Sequence, residues 1–392
     1  MERPIFKPLG TASEQLDSPS LLIDVDSLDH NISTVHGFFK KQTAKLRPNV
    51  EAHRTPAIAK KQIEAGGTSE GIAVSTIGQA EIFFSNGFKN ILVLQPVIGK
   101  NKLSRLSSIS KEADITIIVD HTDNVQEISE IASENNSSIN ISVAIDCGKG
   151  LFGVTNPTDV VTIIEKIQTS PSVTLQGIVG FQSDILKSNF TELVEDTKKQ
   201  LKPLLDTLQI LKEKNIEIKS VSAGNTSSYN AVCEIEEITE VIAGKYAIMD
   251  LQLIDFRTEL KSAGKVLTTI TGIPEQGVII TDGGQKAIGA DLGDPIISNP
   301  TGLSLGGLSA EHGTIKDTEL KNQNLKTGDK ILISPWDAGE CCNLHDYIHA
   351  IKDGKLIAIW DVSARGVYRL SLIHISEPTR RTPISYAVFC LK

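Results

Sequence analysis

The sequence predicts an α/β chain in two parts, a closed (β/α)8 TIM-like barrel over residues 21–258 and a second, all-β domain over residues 259–369. Three observations point there. From residue 20 onward, apolar runs of strand length alternate with helical patterns, the signature of parallel βα units. Roughly eight such units in about 230 residues suit a closed barrel better than an open sheet. After residue 258 the helical period stops, and Gly, Thr and short β-rich runs take over.

The elements follow in order. Residues 21–25 form a short apolar run, and 27–40 place Leu28, Ile32, Val35, Phe38 and Phe39 at helical spacing. An extended segment is expected at 44–52 and a helix near 55–65. Strands are expected at 72–74, 91–95, 115–120 and 139–146, with helices at 77–86, 100–112 and 124–135 between them. Residues 157–169 read as helix, 175–181 as strand and 189–214 as one long helix. Runs at 220–223 and 246–251 close the barrel. The β-domain is expected to hold strands at 263–273, 276–282, 330–334, 347–352 and 355–362, with residues 1–20 packed on it.

Composition narrows the function classes. The 392 residues are 40% hydrophobic and 22% charged, an ordinary globular balance. Lys+Arg is 39 against Asp+Glu 48, and no basic stripe appears, so a nucleic-acid groove is not expected. The apolar runs are far too short for a membrane span. The first twenty residues lack the apolar core of a secretory leader. The five cysteines show neither zinc-finger nor disulfide-framework spacing, which suits a reducing, cytoplasmic setting.

Residues 370–392, LSLIHISEPTRRTPISYAVFCLK, break the texture. LSLIHISEPTR resembles the in-frame translation of a sequencing adapter, and ISYAVFCL that of its adjoining primer. Arg381, Thr382 and Pro383 would be the barcode between them. The stretch is treated as an appendage, like a fusion scar.

Several ordered motifs carry a family resemblance: SPSLLIDVDSLDHNI, LRPNVEAHRTPAIAKKQIEAGG, VAIDCGKGLFGV, VSAGNTSSYNA, ITEVIAGKYAIMD, ITDGGQKAIGADLGDP, LSAEHG and NLHDY. Together they resemble the D-threonine aldolase and D-serine dehydratase family over about residues 18–369. The resemblance implies an alanine racemase-type barrel with a β-domain, pyridoxal phosphate and usually a divalent metal. It also implies a lyase acting on a small hydroxylated amino acid or a related phosphorylated compound. A small anionic or amino-acid substrate and a homodimer are the partners it suggests.

The same comparison exposes departures. The family's first barrel strand ends in a run resembling Arg-Pro-His-x-Lys-x-His-Lys, whose first lysine forms the imine with the cofactor. Here the run is Arg47-Pro48-Asn49-Val50-Glu51-Ala52-His53-Arg54. Glu51 stands at the imine lysine, Asn49 at the first histidine and Arg54 at the second lysine, while His53 is retained. A carboxylate cannot form an imine, so covalent attachment of pyridoxal phosphate is in doubt. Three readings of Glu51 stand: a reassigned site with Glu51 as base or ligand, a catalytically inactive anion- or phosphate-binding homologue, and a miscalled codon. The simultaneous changes at Asn49, Arg54, Asp337 and Gly339 oppose the last. In the family's Pro-x-His-x-Cys metal segment, Asp337 stands at the histidine and Gly339 at the cysteine. His312 in the AEHG motif matches the family, so His312 and Asp337, with Glu51, are candidate ligands for a divalent ion. The alternative is that they only hydrogen-bond.

The remaining candidates come from strand ends, where barrels of this kind carry their chemistry. By family match, Gly224, Asn225 and Thr226 follow one strand and Gly244, Lys245 and Tyr246 another, as two phosphate-cradling loops. Plain strand–helix turns are the other reading. Asp146 is either a catalytic carboxylate at the barrel mouth or the cap of the next helix. Gln182 falls near the family's cofactor ring, or serves its loop.

Overall fold

The computed structural model describes residues 6–367, so the stretch at 370–392 lies outside the described residues. Seventeen strands form two sheets among these residues, and β1 (Ser20–Asp24) is the first. The barrel consists of β2 (Lys45–Pro48), β3 (Ile72–Val74), β4 (Asn90–Val93), β5 (Asp114–Val119), β6 (Ile139–Cys147), β7 (Val173–Gln182), β8 (Ser220–Ala223) and β9 (Glu240–Ala243). All are parallel, in the order β2-β9-β8-β7-β6-β5-β4-β3. The ring closes between β2 and β3 through two single bridges, Leu46 to Thr68 and Asn49 to Ala73.

The second sheet contains β10 (Gly264–Glu275), β11 (Val278–Thr281), β12 (Ile296–Asn299), β13 (Ser304–Leu308), β14 (Gly313–Lys316), β15 (Lys330–Ser334), β16 (Tyr347–Lys352) and β17 (Lys355–Asp361). The run at 21–25, expected inside the barrel, belongs here. β1 pairs antiparallel with β10 and parallel with β16. Leu21, Leu22 and Ile23 are buried on both faces, and such a run looks the same whether a barrel or a covered sheet receives it. Ahead of it, the Gly10 N–H donates to the Leu356 carbonyl, the Leu356 N–H to the Thr11 carbonyl and the Ser13 N–H to the Gly354 carbonyl, which lays residues 10–13 along the β16–β17 hairpin.

Two further expectations change. The eighth barrel strand is β9, while residues 246–251 form a buried turn with Met249 in the left-handed region at φ 56°. A glutamate at the start of β9 hid the strand, and the apolar run after it is a turn buried against the barrel. Residues 189–214 are two helices, Phe190–Gln200 and Lys202–Glu213. Pro203, near the start of the second, has no N–H to continue the first. Among the described residues no helix is long and apolar enough to cross a membrane.

The barrel interior is layered. Ala73, Leu92, Ile118, Ala144, Val179 and Ile242, one from each of six strands, form an apolar cluster distinct from the one between strands and helices. Two residues earlier on a strand a side chain faces the same way, and there the layer is polar: Asn90, Thr116, Ser142 and Glu240. Arg47 crosses this layer. Its Nε donates to Glu240 at 2.7 Å and its Nη1 to Asn90 Oδ1 at 2.8 Å and the Ile72 carbonyl at 3.3 Å. Ser222 Oγ adds a 2.8 Å bond to Glu240. Strands β2, β3, β4 and β9 are thus tied through one guanidinium, and β8 joins them through Glu240.

Removing one partner of a buried ion pair leaves the other uncompensated and costs about 3–5 kcal/mol. Glu240→Ala is therefore expected to lower the unfolding free energy by that order, read from urea denaturation. A loss below about 1 kcal/mol would show that the pair does not hold the ring.

Candidate active site

The loop after β2 turns at once into a short 3-10 helix, Val50–Ala52. Asn49 starts it by accepting the Glu51 N–H at 3.2 Å. This places Glu51 at the C-terminal mouth of the barrel, lining a cavity of about 200 Å³ with Asn49, Arg54, Lys245, Asp337 and Glu340. Ser75, after β3, donates its hydroxyl to Glu51 Oε2, and Arg54 Nη2 stands 3.5 Å from Oε1. Burial lifts the Glu51 pKa above the usual carboxylate value. Arg54 and Lys245 act against that, and Glu340 and Asp337 add to it.

Lys245 is the lysine lining this cavity. Its Nζ lies 2.8 Å from Asp250, 3.8 Å from Asp337 and 3.9 Å from Asp184. Burial opposes its charge, but these carboxylates hold its pKa above the ordinary lysine value. Burial pushes the Asp250 carboxyl up to about 6, against the pull of Lys245. Five carboxylates, Glu51, Asp184, Asp250, Asp337 and Glu340, thus surround two cations, Lys245 and Arg54. Arg54 is buried, donates to the Gly339 carbonyl and pairs with Glu340 at 3.3 Å.

Of the residues given catalytic, cofactor or metal roles from the sequence, Glu51, Gly244, Lys245 and Asp337 meet in this cavity, beside Asn49, Arg54 and Gly339 of the departing motifs. The others do not line it. His53 is fully buried behind the turn. Its Nδ1 accepts the Thr55 N–H at 3.1 Å, so its Nε2 donates to Gln62 at 3.0 Å. Gln62 donates to the Tyr246 hydroxyl at 2.9 Å, and that hydroxyl donates to His36 Nε2 at 2.8 Å. His36 Nδ1 then donates to the Gly66 carbonyl at 2.7 Å. Tyr246 therefore points into the helix layer, not toward a ligand. Asp146 accepts the backbone N–H groups of Gly148, Lys149 and Gly150 at 2.8–3.1 Å and organises its own loop.

The loop after β8 is similarly self-contained. Asn225 Oδ1 accepts from Ser227 N at 2.9 Å, and Thr226 Oγ1 accepts the Tyr246 N–H at 3.1 Å. Gly224 has φ +95°, and a Cβ there would press on Val241. A Cβ on Gly244 would overlap the Asn49 carbonyl. Packing between loop and strand therefore accounts for both glycines. Gln182 is buried, donating to Ser228 Oγ at 3.0 Å while its own Oε1 has no partner.

His312 lies on an exposed turn whose backbone bonds to Ser309, while Asp337 caps the helix Ala338–Leu344 by accepting the Glu340 N–H at 2.8 Å. Among the described residues no group of three or more His, Cys, Asp or Glu could hold a metal ion. Burial pushes the Cys342 thiol up to about 12, and Cys341 is equally buried, so both are packing residues.

Ser75, Asp184 and Asp250 escaped sequence reading. Each sits just beyond a different barrel strand, and only the closed ring brings them to one mouth.

Burial lowers the pKa of both His53 and His36 to about 4. The unfolded chain, with imidazoles near 6.5, binds more protons between those values. Stability is then complete above pH 6.5, is lost as pH falls toward 4 and changes no further below that, by at most about 3 kcal/mol per imidazole. Urea unfolding between pH 7.5 and 4.5 should show this slope, and His53→Gln should flatten it. An unchanged slope in that variant would mean the imidazole is not held neutral.

Comparison with known proteins adds the family context. A model of the alanine racemase N-terminal domain matches residues 23–251, and one of a serine dehydratase domain matches residues 263–351. The chain is 29% identical over 372 residues to the 3-hydroxy-D-aspartate aldolase of Paracoccus denitrificans (strain Pd 1222), covering 91% of this chain and 94% of that protein. It is 27% identical over 365 residues to the D-threonine aldolase of an Arthrobacter species, covering 92% and 96%. The crystal structure of D-threonine aldolase from Filomicrobium marinum is similar with a TM-score of 0.87 at 24% identity, over 93% of this chain and all of that one.

Proposed function

The chain belongs to the alanine racemase N-terminal domain family, with a serine dehydratase-type domain following the barrel, and from that premise we propose that it is a carbon–carbon or carbon–oxygen lyase acting on a small hydroxylated amino acid. The observation that carries this is the cavity that sets the half-buried Glu51 among Lys245, Arg54, Asp337 and Glu340. Its mixed charges match a zwitterion: the Lys245 ammonium suits the substrate carboxylate, and Glu340 and Asp337 suit its ammonium group. Related proteins that span nearly the same length cleave or dehydrate such compounds by name.

Glu51 is the group for proton transfer. Desolvation raises its pKa toward the working range of a general base. In aldol cleavage Glu51 would take the hydroxyl proton as the Cα–Cβ bond breaks to the aldehyde and return that proton to Cα. In dehydration it would take the α-proton and give it to the departing β-hydroxyl, which leaves as water, and hydrolysis of the resulting enamine gives the oxo acid and ammonia. Ser75 and Arg54 hold the carboxylate in place for either.

The family is a pyridoxal phosphate-dependent one, but the residues here do not fit that group as a covalent attachment. Glu51 offers no amine. Lys245 is kept as an ammonium by three carboxylates, and a protonated amine is not a nucleophile. The surplus of carboxylates opposes a phosphate at this mouth, and Asn225 and Thr226 hydrogen-bond within the protein. The donor set does not fit a divalent metal either, since among the described residues no three His, Cys, Asp or Glu side chains gather in a way that could hold one. No step is assigned to either group.

Purified protein supplied with D-threonine or 3-hydroxy-D-aspartate should release an aldehyde, or an oxo acid with ammonia. Glu51→Gln should lower kcat/KM by about 10²–10⁴-fold with little change in Tm. No product from any small β-hydroxy amino acid, or full activity in the variant, would overturn the reading. The cofactor statement has its own check. Protein incubated with pyridoxal phosphate and borohydride should gain no covalent adduct by mass spectrometry, and an adduct on any barrel lysine would refute it.

A further inference from the structure

The opposite mouth of the barrel carries a second recess, of about 290 Å³, at the N-terminal ends of the strands. Its wall is the polar layer described above, with Leu92 of the apolar layer beyond it. Lys45, which opens β2, and Lys219, just before β8, also line it, with β9 between these two strands. Both lysines are exposed, while Arg47 and Glu240 are largely buried inside. Three cations therefore face one carboxylate.

That carboxylate is already matched. Glu240 takes Arg47 Nε at 2.7 Å and Ser222 Oγ at 2.8 Å. Arg47 uses Nε and Nη1 in its bonds to Glu240, Asn90 and Ile72, which leaves Nη2 out of all three. Ser69 Oγ, on the same wall, is buried with no hydrogen-bond partner. The N-terminal face of such a barrel ordinarily serves stability alone. A recess that gathers unmatched donors and surplus positive charge there lacks an acceptor. Water satisfies a hydroxyl but leaves the charge uncompensated.

We propose that this recess binds a small oxyanion of the size of phosphate or sulfate, held between Lys45 and Lys219 with Arg47 and Ser69 as inner donors. The site is separate from the catalytic cavity. The apolar layer of Leu92, Ile118, Ala144, Val179 and Ile242 divides the two mouths, and their charges are of opposite sign.

The test is thermal unfolding of the full chain in inorganic phosphate, in sulfate and in chloride at matched ionic strength. Binding to the folded state should raise Tm in phosphate or sulfate over chloride by about 2 °C or more once the anion exceeds its dissociation constant tenfold. The double variant Lys45→Gln with Lys219→Gln removes only exposed rim charges, so it should fold and lose most of the shift. Lys245→Gln, at the other mouth, should keep the shift. The proposal is overturned by equal Tm in chloride and both oxyanions, by an undiminished shift in the rim variant, or by loss of the shift in Lys245→Gln.

Discussion

Arg54 is the contact on which the site depends. It is buried, takes the left-handed conformation at φ 53°, and its carbonyl accepts the Ala364 N–H at 3.1 Å. Its guanidinium reaches the Gly339 carbonyl, Glu340 and Glu51. One residue of the barrel thereby touches the helix at 338–344 and the segment after β17 at Ala364, and so fixes how the second domain closes the barrel mouth. A guanidinium taken from water must be paired, and pairing it draws Glu51 and Glu340 to the same wall. From behind, the buried run of hydrogen bonds from His53 through Gln62 and Tyr246 to His36 holds the same turn. Glu51 thus sits on a segment fixed from two sides, as a site for proton transfer requires.

How much of this could be read from residues alone follows a physical pattern. Pro157–Thr169 is a helix over the very residues expected, because an amphipathic period and a first-turn proline act locally. The position of β1 was not legible, since a short run buried on both faces does not say which sheet receives it. β9 was missed because Glu240 serves the barrel's polar layer, where an apolar start would be expected of an inner strand. In the site, Glu51 and Lys245 each follow a strand in the structure, but they were legible through the family resemblance, since 44–52 was read as extended and β9 was missed. His53 and Tyr246 also follow strands, yet their side chains turn into the helix layer. Strand ends place a residue at the mouth but do not choose its side-chain direction.

The two mouths of the barrel divide its charge. At the C-terminal mouth five carboxylates crowd Lys245 and Arg54, and burial above all raises the pKa of both Glu51 and Asp250. At the other mouth Lys45, Arg47 and Lys219 outnumber Glu240. An apolar layer built around Ala73, Leu92, Ile118, Ala144, Val179 and Ile242 lies between them. Two polar cavities in one barrel would otherwise join into a wet channel; this layer keeps each with its own field, which low-dielectric walls concentrate.

The same charge accounting bears on the proposed reassignment of the site. Random loss of a lysine at position 51 would leave its surroundings built for a vanished cation and an anionic ligand. Here Glu51 and Arg54, which stand at two lysines of the resembling motif, form an ion pair at 3.5 Å. Lys245 is likewise matched by Asp250 at 2.8 Å, with Asp337 and Asp184 beyond. Arg54 is buried and finds its partners in Glu51, Glu340 and the Gly339 carbonyl, and Asp337 caps the helix that carries Glu340. The charged groups at this mouth are thus matched to one another, as the proposed reassignment of the site expects.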